Sequence, residues 1–223
     1  MNRLARLACL GLLGILTSLS QPAFAEDAAE PWLQLGVSLN MLSYQRASFD
    51  VAPVNSGRSF SGDLVRKNYG PSGSSVTLEP GVVLGKRWVL GLLLDIGSGD
   101  LEMKVPGLNF DIYQTVGSFA VGPRMLYFFT DDGRLRPYTV LAFGYTTTPS
   151  EQTAQTIDIT EYQGYFGLGT HLFLDRAFSL DSSLRVAYGI GSGYVDSPPL
   201  EDARLNGSVF TVMWNFGTSG WIR

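Results

Sequence analysis

The segment from Trp88 to Gly97 alternates between two kinds of side chain. One set of alternate positions holds Trp88, Leu90, Leu92, Leu94 and Ile96, and the other holds Val89, Gly91, Leu93, Asp95 and Gly97. Residues two apart in a β-strand point to the same face of the sheet. The segment therefore predicts a strand with one large apolar face and one small, partly charged face.

Seven other segments share this two-residue period. The eight predicted strands are Trp32–Tyr44, Val76–Lys86, Trp88 to about Gly99, about Tyr113–Phe129, Arg136–Thr146, about Ile159–Leu174, Phe178–Ser192 and Leu205 to about Gly217. In the fifth strand the outer face is ambiguous, because Leu141 and Phe143 lie on one face and Tyr138 lies on the other, so both faces carry large apolar side chains.

The predicted connections alternate between short and long. Tight turns fall at 85–87, 130–135 and 175–177, and long loops fall at 45–75, 98–112, 147–158 and 193–204. Short turns at one end and long loops at the other are typical of transmembrane barrels of the bacterial outer membrane, with the turns in the periplasm. The prediction is an all-β, eight-stranded antiparallel up-and-down transmembrane β-barrel. Ten strands is the alternative, if a hairpin of the first loop enters the wall.

Composition favours a membrane barrel over a soluble one. Charged residues make up 16% of the chain, below the ~25% of soluble domains. A soluble barrel would cover its exterior with lysine and glutamate, whereas here the face opposite the apolar one is mainly glycine, serine, alanine and threonine. Aromatic residues near strand ends, such as Trp32, Trp88 and Phe178, resemble the girdles of membrane barrels.

The N-terminus predicts a secretory signal peptide, residues 1–25, cleaved after Ala25. Arg3 and Arg6 precede an apolar stretch, and Ala23-Phe24-Ala25 forms a small-residue cleavage site. Residues 26–223 then form one barrel domain. Cys9 is the only cysteine and lies in the signal. Without the signal, the chain has 14 basic and 20 acidic residues. This balance does not favour a nucleic-acid partner.

The polar face predicts a luminal charge cluster of Glu79, Asp95, Arg124 and Arg185. Counted from the short turns, all four lie at a similar height near the middle of the membrane. An eight-stranded barrel is only wide enough for its own side chains, so charges inside it must pair. We expect a salt-bridge cluster that plugs the lumen, with a rearrangeable gate as the alternative.

A second luminal pair is predicted for His171 and Asp181, which a tight turn at 175–177 places opposite each other. A histidine–aspartate pair suggests a hydrolase with a serine nucleophile. However, the local sequence fixes no serine beside His171. Lipid A deacylases of the PagL type carry a His-x-Ser motif on the lipid-facing side, whereas this chain reads His171-Leu172-Phe173. No catalytic residue, metal site or cofactor is predicted.

The closing pattern Phe210-x-Val212-x-Trp214-x-Phe216 looks like the C-terminal signal read by the barrel-assembly machinery. With the alternating strands and the turn Arg136-Pro137-Tyr138, it makes the chain resemble the OmpX/OmpA-type family of small outer-membrane barrels over Trp32 to Gly217. The chain continues to Arg223, so either the last strand is longer or the signal is displaced. The resemblance implies a place in the outer membrane, with lipid, lipopolysaccharide and the assembly machinery as partners.

The predicted function is a non-enzymatic structural or surface-interaction role, in which the long loops contact an unknown extracellular ligand. Arg58, Arg66 and Lys67 of the first loop are candidates for contacts with lipopolysaccharide phosphates. The first alternative is a narrow channel for ions or small solutes, gated by the luminal salt bridges. A lipid-A-modifying enzyme is the third possibility.

Overall fold

The computed structural model describes residues 31–53, 58–69, 75–108, 110–152, 155–197 and 200–223, and the predicted signal peptide lies outside these ranges. The described residues form nine strands: β1 (Leu33–Ala52), β2 (Phe60–Tyr69), β3 (Ser75–Leu84), β4 (Trp88–Val105), β5 (Phe110–Phe128), β6 (Leu135–Gln152), β7 (Gln155–Phe173), β8 (Phe178–Ser197) and β9 (Leu200–Ile222). A 3-10 turn spans Pro106–Leu108. Within these ranges, no helix has the length and apolar character needed to cross a membrane.

The strands close into a ring because β1 pairs with both β3 and β9. From β3 onward each strand pairs with the next one along the chain, and every pairing is antiparallel. Strand β2 lies in line with β3, further from the short turns, where it pairs with β1 and β4. Eight strands therefore surround the interior at each level, which confirms the eight-stranded barrel. The first loop contributes β2 to the wall, but the ten-strand alternative is wrong.

The short turns lie where the sequence predicts them. Gly85 in the turn between β3 and β4 has a φ of 64°, a left-handed conformation that glycine adopts without a steric penalty. The ambiguous face of β6 is also resolved, since Leu141 and Phe143 are exposed and Tyr138 is buried. Strand β9 runs to Ile222, so the longer-strand interpretation of the C-terminus is correct.

The predicted long loops are mostly strand, which corrects the sequence analysis. On β4 the outward positions change from Leu94 and Ile96 to charged Glu102 and Lys104, while the inward positions become apolar. The alternation therefore continues with its faces exchanged. Outward side chains need hydrocarbon-compatible chemistry within the membrane and water-compatible chemistry above it, so a strand that passes both levels must invert its pattern.

This exchange gives the barrel two different interiors. Above the apolar belt, the inward side chains pack into an extracellular core in which every member is at most 3% exposed. Its members include Phe49, Leu64, Met103, Ile157 and Leu205, and Phe60 packs against them. Within the belt, the outward side chains are large, apolar and exposed, as hydrocarbon requires, and the interior is mainly polar. The candidate site lies in this polar part.

Candidate functional site

Glu79, Arg124 and Arg185 meet inside the barrel and form what we call the waist triplet. They come from β3, β5 and β8 and are all buried. Nη1 of Arg124 lies 3.2 Å from Oε2 of Glu79. Nη1 of Arg185 lies 2.7 Å from Oε1 of the same carboxylate. One carboxylate thus pairs with two guanidinium groups that approach from different walls of the barrel.

Neutral side chains also accept hydrogen bonds from both arginines of the triplet. Arg124 donates through Nη2 to Oε1 of Gln34 at 2.8 Å, and Gln34 donates in turn to Ser219 at 3.0 Å. Arg185 donates through Nε to Ser183 at 3.2 Å. Buried ions cost several kcal/mol each in desolvation unless they are paired and hydrogen-bonded. These partners supply part of that compensation and connect the triplet to β1, β8 and β9, while Nε of Arg124 and Nη2 of Arg185 are buried without a hydrogen-bond partner among the described residues.

Asp95 does not belong to the triplet, which corrects the predicted four-residue cluster. Its Oδ2 accepts a hydrogen bond from Thr77 at 2.6 Å, and the two residues lie opposite each other in the pairing of β3 with β4. Counting from the turns ignored this register. Thr77 precedes Glu79 by two residues on β3 and lies further from the short turn, so Asp95 lies above the waist.

A second set of polar side chains fills the interior above the waist, and we call it the upper polar layer. It contains Gln45, Arg66, Asp95, Glu161 and Gln163. Glu161 accepts hydrogen bonds from Gln45 at 2.7 Å and from Gln163 at 2.6 Å. Arg66 donates to Ser118 and Thr148 on the opposite wall. The layer therefore ties β1 to β7, and β2 to β5 and β6.

Sequence reasoning missed most of the upper polar layer. The sequence predicts Arg66 in a loop that faces lipopolysaccharide. In the structure Arg66 is 7% exposed and points inward, because part of the predicted loop is strand β2 of the wall. No signal in the pattern of 45–75 indicated this. Glu161 and Gln163, by contrast, continue the inward phase of Tyr165 and His171, so extending that phase along β7 would have found them.

Aromatic rings close the interior at the periplasmic end. Around His171 the ring centroids lie 5.0 Å away at Tyr138 and 5.5 Å away at both Phe128 and Trp221. Phe173 extends the group at 6.0 Å from His171. We call these five residues the aromatic floor. Four of them are buried and Phe173 is partly buried, so the five rings pack together inside this end of the barrel.

Hydrogen bonds hold the floor in place. His171 lies opposite Asp181 in the register, but its Nε2 is 3.9 Å from Oδ1 of Asp181, too far for a hydrogen bond. Asp181 instead accepts one from the Tyr138 hydroxyl at 2.5 Å. Ser179 accepts from Nε1 of Trp221 at 2.9 Å and lies 3.0 Å from Nδ1 of His171. A serine therefore does lie beside His171, contrary to the sequence analysis.

Ser179, His171 and Asp181 have the residue types of a hydrolase but not its accessibility. Acyl transfer requires that a substrate carbonyl reach the serine oxygen and the groups that stabilise its oxyanion. Ser179 is 0% exposed and His171 is 1% exposed, and the aromatic floor surrounds both. The three side chains therefore support the floor in this structure. They also face the lumen, whereas the PagL-type motif faces lipid.

A cavity of about 700 Å³ adjoins the waist. It is lined by residues of β4 to β9, and Arg124, Tyr165 and Ala187 are among them. Small side chains at inward positions such as Gly91 and Ala142 leave this space. Arg124 therefore borders both the waist triplet and this cavity.

The predicted assembly signal lies on the outer face of β9. Phe210, Trp214 and Phe216 are exposed and Val212 is partly exposed. Trp214 donates a hydrogen bond to Ser182 of β8 at 3.0 Å. Its use by the assembly machinery remains a prediction. The residues after Phe216 continue β9 to Ile222. Among them, Trp221 points inward and packs in the aromatic floor.

Solved structures that resemble this fold include two outer-membrane proteins. The outer membrane protein OprG from Pseudomonas aeruginosa superposes with a TM-score of 0.58 at 12% identity, over 86% of this chain and 97% of that one. The outer membrane protein AlkL, solved in lipid bilayers, superposes with a TM-score of 0.58 at 14% identity, over 92% of this chain and 97% of that one. No protein-family profile and no curated protein matches the sequence. The chain therefore has the fold of outer-membrane β-barrels.

Proposed function

We propose that this protein is a closed barrel of the outer membrane that acts from its extracellular end, in a structural or surface-interaction role without catalysis. The observation that carries the proposal is closure at successive levels. The extracellular core, the upper polar layer, the waist triplet and the aromatic floor occupy successive levels of the interior, and the cavity beside Arg124 lies at the waist. A solute would have to displace packed side chains at each level.

The extracellular part supports such a role because its outer surface carries charged side chains on regular strands. Arg46 and Asp63 form an ion pair at 3.4 Å on the outer faces of β1 and β2, and Lys104 pairs with Glu102 on β4. These side chains project from strands packed on an apolar core. A preformed surface loses less conformational entropy on binding than a flexible loop. Lipopolysaccharide, an extracellular ligand and the OmpX/OmpA-type assignment remain parts of the proposal.

Thiol labelling tests the closure. A protein that begins at Glu26 contains no cysteine. Each introduced cysteine is then the only thiol that the reagent can label. Ala187→Cys places a thiol at a buried luminal position, and Ser192→Cys places one at an exposed position on the same strand. In vesicles, a hydrophilic maleimide should label Ala187→Cys at least about a hundredfold more slowly, because labelling requires local opening. Similar rates at both positions would contradict a closed lumen.

A narrow channel gated at the waist is the second candidate. Two observations favour it: one carboxylate holds both guanidinium groups, and a cavity lies next to Arg124. Rearrangement of Arg124 into that cavity would open a path past Glu79. This candidate predicts discrete current steps from wild-type protein, with a conductance that changes in Arg124→Ala.

A further inference from the structure

The pairing between β5 and β6 stops before the extracellular end of either strand. The outermost pair is Phe119 with Thr147, yet β5 begins at Phe110 and β6 runs to Gln152. The pairings of β4 with β5 and of β6 with β7, by contrast, continue to the ends of these strands. Above Phe119 and Thr147, β5 and β6 therefore do not pair with each other. We call this stretch the upper seam.

Two prolines explain why the strands part here. In an antiparallel pair, alternate residues direct both their N–H and their C=O toward the same neighbouring strand. The N–H of Phe129 donates to the carbonyl of Pro137 on β6 at 3.0 Å, so the odd-numbered residues of β5 and β6 face each other. Pro123 and Pro149 are both in this phase, and proline has no N–H to donate. The pairing accordingly lapses at Pro123 and ends before Pro149.

Thr115 and Gly117 provide a strand edge at the upper seam. Both are odd-numbered residues of β5, so their N–H and C=O groups point toward β6, and no strand of the described chain pairs with them on that side. A Cβ at Gly117 would meet nothing within 4 Å, so there is open space on the outer side of this position. A strand edge that presents N–H and C=O groups is a template for an added strand.

Arg66 defines the lower end of the upper seam. Its guanidinium donates to Ser118 of β5 and to Thr148 of β6, which are the residues directly above the last pair. The side chain reaches both strands from β2 and is 7% exposed. Hydrogen bonds from a charged donor are stronger than neutral ones, so Arg66 holds the two strands at the point where they stop pairing.

Gln114 gives an independent indication of a ligand. It lies on the inward face of β5 between Ile112 and Val116 and is 3% exposed. Its amide nitrogen and oxygen are both buried without a hydrogen-bond partner among the described residues. Leaving such atoms unpaired is costly. A side-chain amide both donates and accepts, so it is best satisfied by another amide.

We propose that the upper seam binds an extended segment of an extracellular polypeptide, which adds as a strand to β5 at Thr115 and Gly117. Backbone hydrogen bonds provide affinity in such complexes, and alternate side chains provide specificity. The segment's outward residues are polar, because Asp111 and Thr115 are exposed on the outer face beside it. Its inward residues are apolar on either side of one amide, which meets Gln114. The proposal rests on the surface-interaction role proposed above and names the class of partner.

A peptide that copies Ser98–Val105 serves as the probe, because this segment pairs with β5 along its other edge and alternates polar with apolar residues. Its binding to the protein in phosphatidylcholine vesicles is followed by fluorescence anisotropy. In the same antiparallel register, Leu101→Asn in the peptide places an amide opposite Gln114. This substituted peptide should bind about three- to tenfold more tightly than the parent peptide, the effect of one hydrogen bond.

Backbone methylation distinguishes strand addition from apolar adhesion. In this register the amides of Asp100 and Glu102 in the peptide face β5, while those of Gly99 and Leu101 face away. N-methylation of the first two should weaken binding at least about tenfold, because it removes two hydrogen-bond donors. N-methylation of the other two is the matched control and should change binding little.

Variants of the protein locate the site. Gln114→Leu should abolish the preference for the amide-bearing peptide but leave the barrel folded, because the amide has no hydrogen bond to lose. Pro149→Val gives β6 an N–H directed at β5 and should weaken binding by allowing the two strands to pair. Pro137→Val, on the same strand at the periplasmic end, should leave binding unchanged. If Pro149→Val does not fold, as judged by heat-modifiable migration, Gln114→Leu and the methylated peptides decide.

Three results would overturn the proposal: no binding of either peptide to folded wild-type protein, equal binding of both methylated peptides, or an amide preference that persists in Gln114→Leu. These results are distinct from failure of the proposed function. Rapid thiol labelling of Ala187→Cys would contradict the closed barrel, whatever the peptide assay gives.

Discussion

Replacing Glu79 by glutamine tests the energetic account of the waist triplet. The change preserves side-chain volume and removes the charge that two buried guanidinium groups share, at 3.2 Å from Arg124 and 2.7 Å from Arg185. Removing one partner of a buried ion pair costs about 3–5 kcal/mol, because an uncompensated charge remains. Gln34 and Ser183 still accept from the arginines, so we expect a loss near the lower end, about 3 kcal/mol.

The assay is reversible urea unfolding of the protein in phosphatidylcholine vesicles, followed by tryptophan fluorescence. Asp95→Asn is the matched control, because Asp95 accepts from Thr77 and lies outside the triplet. A hydrogen bond to a charged group contributes about 1.5–3 kcal/mol, so the control should cost less. Combining Glu79→Gln with Arg185→Met should restore part of the lost stability. If Glu79→Gln cost no more than Asp95→Asn, the reasoning would be wrong, since water would then be solvating the guanidinium groups.

Three further predictions concern the packing around the site. Phe49→Ala should lower the free energy of unfolding by about 3–5 kcal/mol, because it opens a void in the extracellular core, whereas outward Ser48→Ala should change it little. Gly122→Ala should prevent folding, because a Cβ there would lie 1.6 Å from a backbone oxygen of the next strand, whereas Gly117→Ala meets nothing within 4 Å. Ser179→Ala should destabilise the barrel by about 1–2 kcal/mol through hydrogen bonds lost from the aromatic floor, and wild-type protein should leave the acyl chains of lipid A unchanged in mass spectra.

Each of these predictions has a result that contradicts it. Equal stability of the Phe49→Ala and Ser48→Ala proteins in urea would mean that the extracellular core contributes nothing. A heat-modifiable Gly122→Ala protein would show that β5 and β6 do not approach each other as closely as in this structure. Loss of an acyl chain from lipid A that depends on Ser179 would restore the enzyme alternative.

The membrane-crossing part of the fold could be predicted because both faces of each strand are constrained there. Lipid demands an apolar outer face and the narrow lumen demands small or paired polar residues, so the alternation is strong between the turns. Above the membrane the alternation continues, but its faces are exchanged. A search for a continuous apolar face therefore ends β4 near Gly99 and assigns the rest to loops. Following the period itself, whichever face is apolar, would have extended the strands.

The lumen was predicted in part. Alternation identifies Glu79, Arg124 and Arg185 as inward-facing, and counting from the turns places them near one another. The exclusion of Asp95 depends on the β3–β4 register, which the turn alone does not determine. Ser179 lies two residues from the register partner of His171, so their contact depends on the side-chain conformations of both residues, which alternation does not determine. The position of Arg66 depends on where the chain re-enters the wall, which no local pattern encodes.

Single-channel recording in a planar bilayer tests the central claim most directly. Refolded, heat-modifiable wild-type protein should produce no current steps, and Arg124→Ala alone should remain silent, because the upper polar layer and the aromatic floor still fill the interior. Discrete openings of the wild-type protein whose conductance changes in Arg124→Ala would contradict the closed barrel. They would identify the waist triplet as the gate of a channel.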